Sequence, residues 1–196
     1  PVLSMAEMSK AEFAQAFGQS FQQFGFAMVR DHGMDPGLID EGWAMARRFF
    51  NLPEDAKRRY DAKYNGGQRG YTAFGTEIAK GASENDLKEF WHVGRDLPEG
   101  DPLAQTMPPN VWPDEMPEFK PVFANLYREF DRVGAELLSA IALYLGLPER
   151  WFDGPIDNGN SILRLLHYPP VSPQAPGIRA GAHEDINLIT LLLGAE

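Results

Sequence analysis

Nine apolar residues recur at three- and four-residue spacing along residues 117–146: Phe119, Val122, Phe123, Leu126, Phe130, Val133, Leu137, Ile141 and Leu145. A stripe of that period lies on one side of an α-helix and must be buried against other elements. Pro117 or Glu118 opens this helix and Gly146 ends it, as proline and glycine do at helix starts and stops. Any fold for this chain must therefore run a long helix through its core. The stripe is packing and implies no cofactor role. Just before it, seven prolines between Pro98 and Pro121 exclude regular structure.

The other elements are shorter. Residues 1–5 read as an extended segment. Ser9 and Glu12 form a capping box, and Phe13, Phe17, Phe21 and Phe24 follow at helical spacing up to Gly25. Residues 26–29 read as a strand and His32-Gly33 as a turn. Asp35-Pro36 opens a second helix reaching Phe50, and Pro53 opens a short third. Residues 64–75 are glycine-rich and read as loop. KEFWHVGR, residues 88–95, reads as a strand, as does SILRLLHY, residues 161–168. Pro148 starts a brief turn carrying Trp151 and Phe152, and four prolines between 169 and 176 mark a loop. No repeat or low-complexity tract is present.

That loop leads into AGAHEDINLITLLL, residues 180–193, which holds His183 and Asp185 two positions apart. In a strand, residues i and i+2 point to the same face. An imidazole and a carboxylate side by side give two ligands of a 2-His-1-carboxylate iron site, which keeps open positions for other ligands. The bare pair is weak. With 4 His in 196 residues, roughly 0.27 H-x-D pairs arise by chance. The surroundings add weight. Residues 186–193 are apolar on both faces, which predicts a buried strand, and buried charges are normally paired or bound to metal.

Composition removes whole classes of chemistry. There is no cysteine, hence no disulfide, thiolate nucleophile, zinc–thiolate site or iron–sulfur cluster. A net charge of −10 disfavours non-specific binding to nucleic acid or anionic membranes. No run of 18 apolar residues exists, and no basic segment followed by an apolar one opens the chain. The expectation is a soluble, cytoplasmic protein of one domain, or one domain and part of another. A buried strand needs partners, and this chain ends at Glu196 directly after one, so the natural protein is expected to continue. Nothing in the sequence sets an oligomeric state.

The order of these features resembles the isopenicillin N synthase-like branch of the iron(II)/2-oxoglutarate-dependent dioxygenases. FGFAMVRDHGMDPGLIDEGWAMARRFFNLPEDAKRRY is similar to that family's N-terminal region. LRLLHYPP, a proline-bearing loop and AGAHEDINLITLLL are similar to the start of its double-stranded β-helix. The resemblance implies an α+β fold. A helical N-terminal region, residues 1–155, would pack on a jelly roll whose first strands occupy residues 156–196.

The resemblance also implies the site. The first two iron ligands fall at His183 and Asp185, and a tyrosine that hydrogen-bonds 2-oxoglutarate falls at Tyr168. Strand alternation then puts Arg164 on the face of Tyr168, as partner for a substrate or co-substrate carboxylate. Leu166 stands where many members carry asparagine. The family's second histidine and its Arg-x-Ser pair lie downstream of the aspartate, and no histidine follows His183 here; His32 and His92 read as structural or exposed. The implied cofactors are iron(II), 2-oxoglutarate and oxygen, with ascorbate as an optional reductant. The implied partner is a small-molecule substrate, which is hydroxylated or desaturated with release of succinate and carbon dioxide. Other readings are an iron oxidase that does not use 2-oxoglutarate, a non-catalytic binding module and a zinc hydrolase. By the same analogy, residues 64–75 and 90–95 border the substrate entrance.

Overall fold

A computed structural model of the protein describes residues 1–61, 66–77, 85–172, 174, 175, 177–181, 183, 185 and 187–194. Tyr64 and Asn65 of the glycine-rich loop, Pro173, Pro176, Ile186 and Glu196 lie outside the described residues. The elements run β1 (Val2–Ser4), α1 (Lys10–Phe24), β2 (Met28–Arg30), α2 (Pro36–Phe50), α3 (Glu54–Arg58), β3 (Gly70–Thr72), β4 (Glu89–Gly94), α4 (Phe119–Tyr144), α5 (Asp153–Ile156) and β5 (Ile162–His167). Among the described residues, no helix is long and apolar enough to cross a membrane.

Tertiary contacts divide the chain into two units. The first comprises Pro1–Ile39, Arg128–Gly159 and Asn187–Glu196. Its α1 begins with the expected capping box: the Ser9 side chain accepts from the Glu12 amide, and Glu12 reaches back to the Ser9 amide. It ends on Gly25 at φ 76°, a left-handed cap that glycine adopts without strain. Phe13 stacks on Phe17 with ring centroids 5.3 Å apart, and Phe17 meets Phe21 edge-on at 5.0 Å. A Cβ on Gly18 would fall 2.0 Å from the Tyr144 ring, so glycine lets α1 and the end of α4 approach closely. The strands β1 and β2 pair in parallel, Leu3 opposite Val29.

The second unit comprises Asp40–Tyr127 and Asn160–Ile186. Its sheet is antiparallel in the order β3-β4-β5. Every residue of β4 is buried, as a central strand covered on both faces requires. Phe49 of α2, fully buried, sits 4.8 Å from Trp91 and 5.6 Å from Phe119 between ring centroids. Large aromatic areas in edge-on contact dominate such a core.

Two expectations are corrected here. Residues 70–72, read as loop, form β3, because Tyr71 pairs with Trp91 across the ladder and that pairing overrides the local glycines. Residues 186–193, expected to form a buried strand, carry none over the described part, 187–193, and Leu188 and Leu192 are 56% and 81% exposed. An extended segment is held by ladder hydrogen bonds, and no described strand pairs with it. The run packs instead on helices: Leu191 lies 3.3 Å from the position of a Cβ on Gly134. Together with Phe17, Phe21, Phe130, Val133 and Leu137 it lines a cavity of about 130 Å3. The jelly roll implied by the resemblance is not formed among the described residues.

Candidate functional site

The segment carrying His183 is pinned to the start of β4 by backbone contacts. Ile178 bridges Asp86 in parallel, and the Leu87 amide donates to the Ile178 carbonyl at 2.7 Å. Gly177 makes the approach possible, since a Cβ there would stand 2.6 Å from the Asn85 carbonyl oxygen. The Gly181 amide then donates to Asp86 Oδ1 at 3.1 Å. Asp86 is buried, and its other oxygen meets Lys88 Nζ at 2.7 Å. Burial pushes the Asp86 carboxyl up, but the bonds from Lys88 and Gly181 outweigh it and hold it below the usual carboxylate range.

His183 Nδ1 lies 2.7 Å from the Gly181 carbonyl oxygen. A carbonyl only accepts, so Nδ1 carries the proton. In the neutral ring the lone pair is then on Nε2, which stands 3.5 Å from Asp185 Oδ1. The pair is about half exposed. First-row metals sit about 2.0–2.2 Å from imidazole nitrogen and carboxylate oxygen, so both atoms are within reach of one ion. A histidine whose second nitrogen is tied to a carbonyl is the usual form of a metal ligand. The donor set thus fits two ligands of an iron(II) site. Among the described residues no group of three His, Cys, Asp or Glu is placed to hold a metal.

Arg164 lies opposite His92 in the β4–β5 register. Its Nε donates to His92 Nε2 at 2.7 Å, and its guanidinium covers the Phe90 ring at 4.5 Å. His92 must accept at Nε2, so its Nδ1 donates to the Gly67 carbonyl at 2.8 Å. Burial and the Arg164 charge push the His92 ring down to about 4. Arg164 Nη1 also meets Glu77 at 3.4 Å, and Glu77 meets Lys88 at 2.7 Å. A continuous set of polar contacts therefore runs from Arg164 through Glu77, Lys88 and Asp86 to the Gly181 amide. Tyr168 follows β5, and its carbonyl accepts from Arg179 Nη1 at 3.2 Å.

The opposite face of β5 holds a second buried network. Glu89 accepts from Lys57 at 2.7 Å and from the Tyr71 hydroxyl, and lies 2.7 Å from His167 Nδ1. Burial pushes the Glu89 carboxyl up, yet these three bonds hold it below the usual carboxylate range. Neither network was assigned from the sequence. The available signal was D-x-K-E opening an apolar strand, where charges have no reason to sit unless they are paired.

Residues 1–115 match the family described as the N-terminal region of non-haem dioxygenases in morphine synthesis. The chain belongs to the 2-oxoglutarate–iron(II) oxygenase superfamily. It is 32% identical over 194 residues to a 2-oxoglutarate-Fe(II) type oxidoreductase of Aspergillus fumigatus, covering 94% of itself and 58% of that relative. It is 32% identical to a proline hydroxylase of Petromyces alliaceus, with 97% and 60% covered. It thus spans about three fifths of the length of these curated relatives.

Solved oxygenases share the fold. A 2OG-Fe(II) oxygenase family protein of Caulobacter crescentus superposes at TM-score 0.85 and 46% identity, over 95% of this chain and 61% of that one. A full-length Neurospora crassa protein in complex with alpha-KG superposes at TM-score 0.75 and 28% identity, over 92% and 59%.

Proposed function

We propose that the whole protein is an iron(II)- and 2-oxoglutarate-dependent oxygenase acting on a small molecule. The observation that carries this reading is the 3.5 Å approach of His183 Nε2 and Asp185 Oδ1, with Nδ1 of the same ring committed to Gly181. The names of its relatives support it, among them a hydroxylase and a structure with alpha-KG. The reaction would consume oxygen and 2-oxoglutarate and give succinate, carbon dioxide and the oxidised substrate. Bound iron(II) and 2-oxoglutarate supply the oxidising chemistry.

The residues of this chain bind and orient. His183 and Asp185 hold two positions on the metal, and the Asp185 carboxylate offsets one of its charges. Tyr168 and Arg164 are the residues for 2-oxoglutarate or a substrate carboxylate. Arg164 suits an anion because His92 fixes its Nε and Phe90 supports its plane, which leaves less guanidinium freedom to be lost on binding.

The test is succinate release by the full-length protein with iron(II), ascorbate and 2-oxoglutarate under air, across a panel of small substrates. Succinate formation that Asp185→Ala abolishes is the expected result. Iron binding with no succinate under any substrate would instead support an oxidase that does not use 2-oxoglutarate.

A further inference from the structure

The geometry points to Asp86 as a positioning residue for His183, acting through Gly181, whose amide and carbonyl link the two; this rests on His183 being a metal ligand. Asp86 is 2% exposed and divides its oxygens between two tasks. Oδ2 meets Lys88 at 2.7 Å and Oδ1 accepts from the Gly181 amide at 3.1 Å. The carbonyl of that same glycine faces His183 Nδ1 at 2.7 Å. The amide and the carbonyl of Gly181 lie in adjacent planar peptide units joined at one Cα, so fixing the first unit leaves only the two torsions of this glycine to turn the carbonyl. A fixed carbonyl sets both the ring plane and the tautomer, and leaves Nε2 toward Asp185. Lys88 is itself held by Glu77 at 2.7 Å, so Asp86 is anchored from behind and cannot follow a drifting loop.

This arrangement extends the usual outer-shell partner of a metal-bound histidine by one residue. Removing such partners lowers metal affinity by about 10–100-fold. The carboxylate touches neither metal nor substrate, so its effect must pass through ring orientation.

Two variants of the full-length protein separate this role from a merely structural one. Asp86→Asn keeps an oxygen able to accept from the Gly181 amide. Asp86→Leu combined with Lys88→Met removes the acceptor while replacing the buried ion pair by apolar groups, an exchange that proteins often tolerate. Nitrogen-15 NMR of the metal-free protein reads the His183 tautomer, its signal assigned from His183→Ala. Calorimetric titration with Mn(II) alone reads the affinity.

The expected result is a protonated Nδ1 in the native protein and in Asp86→Asn, with Mn(II) affinities within about threefold of each other. The double variant should show mixed tautomers and an affinity lower by about tenfold or more. In a His183→Ala background, the same double change should leave the residual Mn(II) affinity unmoved. A folded double variant with the native tautomer and affinity overturns the inference. Where the double variant does not fold, Asp86→Ala with Lys88→Met takes its place: a native tautomer and affinity there overturn the inference, and mixed tautomers with weakened Mn(II) binding support it. Equal Mn(II) binding by native and His183→Ala proteins would defeat the ligand assignment instead, and the metal-free tautomer would still report on Asp86.

Discussion

Removing the Glu89 carboxylate by Glu89→Ala is expected to be among the most damaging single changes in this chain. Lys57 is 6% exposed and Glu89 3%, and Lys57, Tyr71 and His167 all turn to this one carboxylate. Breaking a buried ion pair by deleting one partner costs about 3–5 kcal/mol, and Lys57 would be left with the Phe50 carbonyl at 3.3 Å and Glu54 at 3.7 Å. The Tyr71 hydroxyl would lose its acceptor at a further cost of about 1–3 kcal/mol, part of which relaxation recovers. Taking 3–5 kcal/mol alone, and roughly 2–4 °C per kcal/mol for a domain of this size, the melting temperature should fall by about 6–20 °C. The assay is thermal and urea unfolding of native, Glu89→Ala and Glu89→Leu/Lys57→Met proteins. The double variant should recover most of the loss, since it leaves no charge unpaired. A drop below about 1 kcal/mol in Glu89→Ala would refute the buried network. The pH dependence has a definite sign. The folded Glu89 carboxyl lies below its ordinary value, so its contribution is present above the unfolded value near pH 4.3 and is lost as pH falls through the folded one.

Three further outcomes follow from the same structure. Gly94→Ala would place a Cβ 1.9 Å from the guanidinium carbon of Arg69, which is fully buried; a loss of about 1–3 kcal/mol by urea unfolding is expected, and an unchanged midpoint would show that Arg69 can move aside. Ser9→Ala removes one half of the capping box and should cost about 1 kcal/mol, read as a shift in the same midpoint. His92, held near 4, should stay neutral from pH 8 to 5.5 by NMR. Its contribution to stability should be lost as pH falls from about 6.5 toward 4, and His92→Phe should flatten that slope.

Local signals carried most of the helices. The 3.6-residue stripe marked α4, found at Phe119–Tyr144, and the Ser9–Glu12 box with Gly25 marked α1 at Lys10–Phe24. Those signals are made within one segment. The strand β3 was missed because its cause is remote: Tyr71 is extended by pairing with Trp91, twenty residues on. The reverse error fell on residues 186–193, where an apolar run was read as a buried strand and the described 187–193 carry none. Apolarity reports a need for burial and does not specify a ladder, and Leu191 meets that need against α4. At the candidate site, spacing suggested that His183 and Asp185 stand together, and they lie 3.5 Å apart without the strand invoked to hold them. What holds the loop, Asp86 on Gly181, joins residues 95 positions apart and leaves no trace in local pattern.

The most direct measurement is anaerobic iron(II) titration of the full-length protein beside its Asp185→Ala variant, with circular dichroism on both. One iron(II) per chain in the native protein, and loss of that binding in a variant with an unchanged fold, is the expected result. A folded Asp185→Ala protein that binds iron(II) with native affinity would contradict the assignment of His183 and Asp185 as ligands.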